Sequence, residues 1–153
     1  MLQKDSNAQS FKFSSISLNL PLFLSETQSI MLKSIIIVFL GGGIGSAFRY
    51  LTSVFTEKYI QQSFPWATFV VNIMGCLIIG VLVGFFTKQQ VENADLKLLF
   101  VTGFCGGFTT FSAFALENIK LFQSGNTFLA LLYIALSVIL GILAVWSGML
   151  LMK

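Results

Sequence analysis

Four apolar stretches, at about 31–56, 66–86, 98–116 and 127–152, each reach the roughly 20 residues that a helix needs to cross a bilayer. In hydrocarbon every backbone polar group must be satisfied inside its own segment, which leaves helices as the available form. With 56% hydrophobic residues and only 10% charged, the chain is too apolar for a soluble domain of 153 residues. The connections are about ten residues each, leaving no room for a soluble catalytic domain. The expected fold is an all-α membrane protein with four transmembrane helices, the third of them broken in mid-membrane.

That break is read from Gly103-Phe104-Cys105-Gly106-Gly107-Phe108-Thr109-Thr110-Phe111-Ser112-Ala113-Phe114, in the centre of the third stretch. A glycine pair followed by two β-branched threonines is a poor choice for a continuous helix. Freed carbonyls and amides at that depth are tolerated only where they line a cavity, meet an ion or are covered by protein. The break therefore marks a candidate site. Phe111 and Phe114 share a helical face just beyond it, with the Ser112 hydroxyl nearby. Two readings fit the phenylalanines: lipid-facing filler, or ring edges whose partial positive charge faces a small anion. The carbonyls around Gly106 and Thr109 are hard oxygen ligands, suited to an alkali or other hard cation.

Elsewhere the polar residues inside the spans are few. Gly41-Gly42-Gly43-Ile44-Gly45-Ser46 supplies a small-residue face for helix packing. A phosphate-binding loop does not fit there, because no strand precedes it. Arg49 lies near the far end of that helix, where it either snorkels to headgroups or draws anions to a pore mouth. Asn72, in the second span, either bonds a neighbouring helix or offers uncharged donors to an anion that must shed water. Tyr133 and Ser137 stand one turn apart on the fourth span, as the start of a polar track or bonded back to their own helix.

Charge and composition exclude several functions. The chain has no histidine, so a histidine-dependent metal site or proton relay is excluded. Cys76 and Cys105 both fall inside spans, where a thiol behaves as a small hydrophobe, and no disulfide is expected. Counting from Met31, Lys33, Lys88, Lys97 and Lys153 lie on one side, against Arg49, Lys58 and Lys120 on the other. So even a split predicts weak orientation, with insertion both ways round. Lys4 and Lys12 add to the first side if residues 1–30, a polar stretch rich in Ser, Asn and Gln, belong to the mature chain. That stretch is expected to be a disordered or interfacial tail, or the product of a mis-assigned start.

Residues 31–153 resemble the CrcB/Fluc fluoride channels. The resemblance rests on Gly42-Gly43-Ile44-Gly45-Ser46-Ala47-Phe48-Arg49-Tyr50, on Asn72-Ile73-Met74-Gly75-Cys76 and on Gly106-Gly107-Phe108-Thr109-Thr110-Phe111-Ser112-Ala113-Phe114. It implies an antiparallel, dual-topology homodimer in the plasma membrane, multi-pass and of the bacterial inner-membrane type, which exports fluoride passively and so relieves its toxicity. It further implies a central structural sodium ion held by the backbone carbonyls of Gly106 and Thr109, with two fluoride pores per dimer. By position, Phe111 and Phe114 would line the pores and Asn72 would face fluoride. Ser112 would belong to the fluoride pore, Tyr133 and Ser137 would be part of a hydroxyl track that Thr68 joins, and Arg49 and Glu117 would sit at the vestibule and pore mouth. The partners implied are fluoride, a second copy and the lipid bilayer, with no nucleic acid. Ala113 departs from the family's usual threonine and thins that track by one hydroxyl.

Three rivals are weaker. A small four-span antiparallel transporter of another ion or toxic compound needs an acidic residue in its first span, and 34–56 contains none. An intramembrane enzyme needs a base for Ser112, which has neither histidine nor membrane lysine to serve it. A purely structural subunit leaves the break without a purpose.

Overall fold

The computed structural model describes residues 4–60 and 63–153, with side chains from residue 25 onward. It is all-helical over those residues: α1 (Lys4–Tyr59), α2 (Trp66–Lys88), α3 (Ala94–Lys97), a π-helical segment (Leu98–Cys105), α4 (Gly106–Phe108), α5 (Phe111–Gln123) and α6 (Thr127–Leu151). Four helical stretches have the length and composition of membrane spans: Ser25–Tyr59, Trp66–Lys88, Ala94–Gln123 and Thr127–Leu151. The third is the interrupted one. Most of the expected 1–30 tail falls outside the residues with described side chains. Of the described residues, those up to Ile36 form a unit of their own, and those from Ile37 onward form the compact unit that carries the candidate site.

Short signals in the sequence set the connections. Pro65 precedes the first turn of α2, where its missing N–H is no loss. Asn93 caps α3, its Oδ1 accepting the N–H of Asp95 at 3.0 Å and of Leu96 at 3.2 Å. At the end of α5, Gly125 takes φ +77°, a left-handed conformation that glycine adopts without strain. Its N–H donates to Phe122 O, and the Asn126 N–H donates to Leu121 O at 2.9 Å. This pair of bonds ends α5 sharply and sends α6 back beside it.

Glycine then decides how closely the spans approach. A Cβ on Gly41 would strike Leu99 O, one on Gly45 would strike Phe104 O, and one on Gly107 would strike Gly42 O. Gly41 and Gly45 are four apart, as are Gly103 and Gly107, so two small-residue stripes face each other. α2 and α6 pack along each other extensively. Their contact uses the same device, with Gly80 against Val145 O and Gly148 against Leu77 O. The buried centre near the α5–α6 turn is Leu121, Ala130 and Tyr133, with Phe64, Phe69, Phe114 and Leu129 around them.

The expected break exists, but it sits later than the glycines. Gly106 and Gly107 remain helical in α4, and the extended residues are Thr109 (φ −77°, ψ 159°) and Thr110 (φ −148°, ψ 119°). The glycines serve close approach, and the β-branched threonines take the extended conformation they favour. Gly45→Val should lower the unfolding free energy in detergent by about 1–3 kcal/mol, because its side chain meets backbone that cannot yield. Gly43→Ala, with nothing within 4 Å of the added carbon, should stay within about 0.5 kcal/mol of wild type in the same denaturation series.

Candidate ion site at the helix break

Extending two residues inside a span frees the backbone groups of the missing turn, and neighbouring helices take them up. Asn72 on α2 meets Thr110 with both ends of its amide. The Thr110 N–H donates to Asn72 Oδ1 at 2.8 Å, and Asn72 Nδ2 donates to Thr110 O at 3.1 Å. From α1, Ser46 Oγ donates to Gly107 O at 3.3 Å and Arg49 Nη1 donates to Thr109 O at 3.2 Å. Ser46 and Arg49 are three residues apart and share a helix face, which the neighbouring Gly45 allows to lie against the break. Thr110 Oγ1 caps the restarting helix by accepting the Ala113 N–H at 3.3 Å. Thr109 Oγ1 bonds back to Cys105 O at 2.9 Å.

The Gly106 carbonyl is among those that lose their helical partner in this exchange. The N–H four residues after Gly106 is that of Thr110, which has turned to Asn72. Gly106 is exposed in the single chain. Thr109 O carries one hydrogen bond and keeps a second lone pair. Gly106 and Thr109 therefore offer hard, neutral oxygens of the kind an alkali cation takes.

A cavity of about 470 Å³ opens beside the break. Asn72, Gly106, Thr109, Phe111, Phe114 and Ser137 are among the residues that line it. Phe111 is 80% exposed, and its ring centroid lies 5.7 Å from that of Phe114. Phe114 is held edge-to-face against Tyr133 at 4.9 Å, and Tyr133 is also packed by Phe64 and Phe69. Ser137 Oγ is buried with no hydrogen-bond partner among the described residues. Ser112 is exposed, with its Oγ 3.2 Å from Thr110 Oγ1.

The expected hydroxyl track divides into two parts. Ser137 faces the cavity, whereas Thr68 and Tyr133 converge on Glu117. Thr68 Oγ1 donates to Glu117 Oε1 at 2.6 Å and the Tyr133 hydroxyl donates to Glu117 Oε2 at 2.9 Å. Glu117 thus ties α2, α5 and α6 together. Beyond it, a second cavity of about 400 Å³ is lined by Glu117, Lys120 and Ser124 among others. Sequence reasoning missed the Ser46 and Arg49 contacts to the break and the π-helical segment before it. The spacing of Ser46 and Arg49 immediately after Gly45 was the available signal for the first; nothing in residue type announces the second.

An interrupted third span, dressed by donors from two neighbouring helices and opening on a cavity, defines a small polytopic membrane protein with a candidate site at the break. The sequence pattern of the family described as CrcB-like protein, Camphor Resistance (CrcB), matches residues 36–149. A fluoride-specific ion channel FluC of Flavobacterium psychrophilum is 52% identical over 122 residues, covering 80% of this chain and 98% of that one. Proteins of the same description from Azobacteroides pseudotrichonymphae and Phocaeicola vulgatus are 48% and 44% identical, covering 77% and 76% of this chain and 94% and 96% of theirs. The chain belongs to the CrcB family.

Asn72→Leu removes both bonds to Thr110, leaving its N–H unpaired in apolar surroundings and its C=O with only the first bond of α5. The expected loss is about 2–4 kcal/mol of unfolding free energy, read from denaturation in mixed micelles. An unchanged midpoint would mean that the break holds its shape without the amide.

Proposed function

We propose that this chain is a fluoride-selective channel that lets the ion leave the cell passively across the plasma membrane. The observation that carries the reading is the interrupted third span opening on a cavity with Phe111, Phe114, Ser137 and Asn72 on its wall, in a chain about half identical to proteins named for fluoride conduction. Fluoride is small and strongly hydrated, so a dry passage must replace its water with donors. The unpartnered Ser137 hydroxyl supplies one. Asn72 retains one amide hydrogen beyond the one given to Thr110, and the edges of Phe111 and Phe114 add partial positive charge. A passage of this kind admits fluoride and rejects larger chloride.

The pores form between two copies inserted in opposite directions. An 80% exposed Phe111 and an exposed Gly106 on one face support a second copy covering the break. The nearly even split of basic residues between the two sides supports insertion both ways round. Gly106 and Thr109 from each copy would hold a sodium ion through their carbonyls. Bound there, the cation offsets carbonyl dipoles and raises the local potential for an anion. From α1, Arg49 orients the Thr109 carbonyl and Ser46 the neighbouring Gly107 carbonyl. Glu117, with Thr68 and Tyr133, lies towards the pore mouth, where Lys120 adds positive charge.

Purified protein in liposomes should release fluoride rapidly and chloride negligibly, with Phe111→Ile suppressing the fluoride flux by roughly tenfold or more. Chloride leaving as fast as fluoride would defeat the proposal. Reporters fused to the carboxyl terminus should register both orientations in cells, and a single uniform orientation would count against the antiparallel pair.

A further inference from the structure

Several hydroxyl side chains of this chain bond the carbonyl four residues back: Thr52 bonds Phe48, Thr56 bonds Thr52, Thr87 bonds Val83 and Thr109 bonds Cys105, at 2.8–2.9 Å. The Thr102 hydroxyl, like that of Ser137, makes no such bond: it has no hydrogen bond among the described residues. It lies inside the π-helical segment Leu98–Cys105, whose wider turns carry the usual acceptor out of line.

The position of this free hydroxyl is what gives it a use. Thr102 and Val101 line the 470 Å³ cavity at the break, and both also line a further cavity of about 320 Å³. That further cavity runs towards the start of the third span and ends at Lys97, with Phe86, Thr87 and Leu98 on its sides. Since the Thr87 hydroxyl is committed to Val83, Thr102 and Lys97 are the donors it offers to an anion, among the described residues.

We propose that Thr102 contacts the permeating anion: fluoride passes from the cavity at the break, along the Thr102 hydroxyl, into the 320 Å³ cavity and meets water at Lys97. This inference rests on the fluoride-channel reading. The hydroxyl is a single rotatable donor, able to swing from an ion on one side to an ion on the other. It replaces water where the two cavities share their lining. Lys97 acts at a distance, concentrating anions at the mouth.

The test uses the full-length protein in liposomes loaded with fluoride. Thr102→Val keeps the branched shape and removes the donor, Thr102→Ala removes the donor differently, and Thr102→Ser restores it. The valine and alanine variants should release fluoride roughly tenfold or more slowly, as expected for loss of a hydrogen bond to an ion, while serine stays within about twofold of wild type. Lys97→Gln should slow efflux about threefold in low salt and lose that effect in high salt, where screening hides its charge. Wild-type rates in both Thr102→Val and Thr102→Ala would overturn the assignment, as would serine slowing efflux as much as valine. Wild-type vesicles that retain fluoride would instead defeat the channel reading beneath it.

Discussion

The pairing of the Asn72 amide with the backbone of Thr110 is the contact on which the centre of this molecule depends. A helix crossing hydrocarbon cannot leave an N–H and a C=O unpaired without a large loss of stability. One amide, presenting an acceptor and a donor side by side, takes up the Thr110 N–H that the break frees and adds a second bond to the carbonyl that starts α5. Once that replacement exists, Thr109 and Thr110 can extend, Gly106 can keep its carbonyl for another ligand, and α5 can restart in a new direction. Ser46 and Arg49 complete the arrangement from α1.

Those contacts need short distances between helix axes, and glycine provides them. Gly41, Gly45 and Gly107 allow α1 to lie with its backbone against the third span, close enough for a serine side chain to reach a carbonyl. Gly75 does the same for α2, where an added carbon would strike the Thr109 side chain. The packing and the site are therefore one design, since the residues that bring helices together are also those that present Ser46, Arg49 and Asn72 to the break. Farther along, the sharp turn at Gly125 brings Tyr133 beside Phe114 and Glu117, so the Phe114 ring on the cavity wall is packed by the Tyr133 ring.

Much of this was legible in advance, and the reasons differ from residue to residue. The spans were legible because hydrocarbon admits few structures, and length with apolarity identifies the one in use. The break was legible because Gly106-Gly107 and Thr109-Thr110 conflict with a continuous helix. Its exact place was not, since glycine in a close-packed helix can serve contact as well as flexibility. Glu117 was placed near a pore mouth, yet its bonds to Thr68 and Tyr133 depend on three helices meeting and have no local signature. The π-helical segment around Thr102 escaped for the same reason, as i→i+5 bonding is a response to neighbouring shape.

By itself, then, the sequence determined the solvent this chain folds in, the number of its spans, the interruption of the third and the near balance of basic residues across the membrane. Composition and periodicity are enough for these because each follows from transferring a single segment out of water. Only the tertiary structure decided which donor answers each freed carbonyl, that Gly106 is left without its helical partner, and that the Thr102 hydroxyl stands unbonded between two cavities. Such features arise from the distance and rotation between packed helices, which no residue fixes alone.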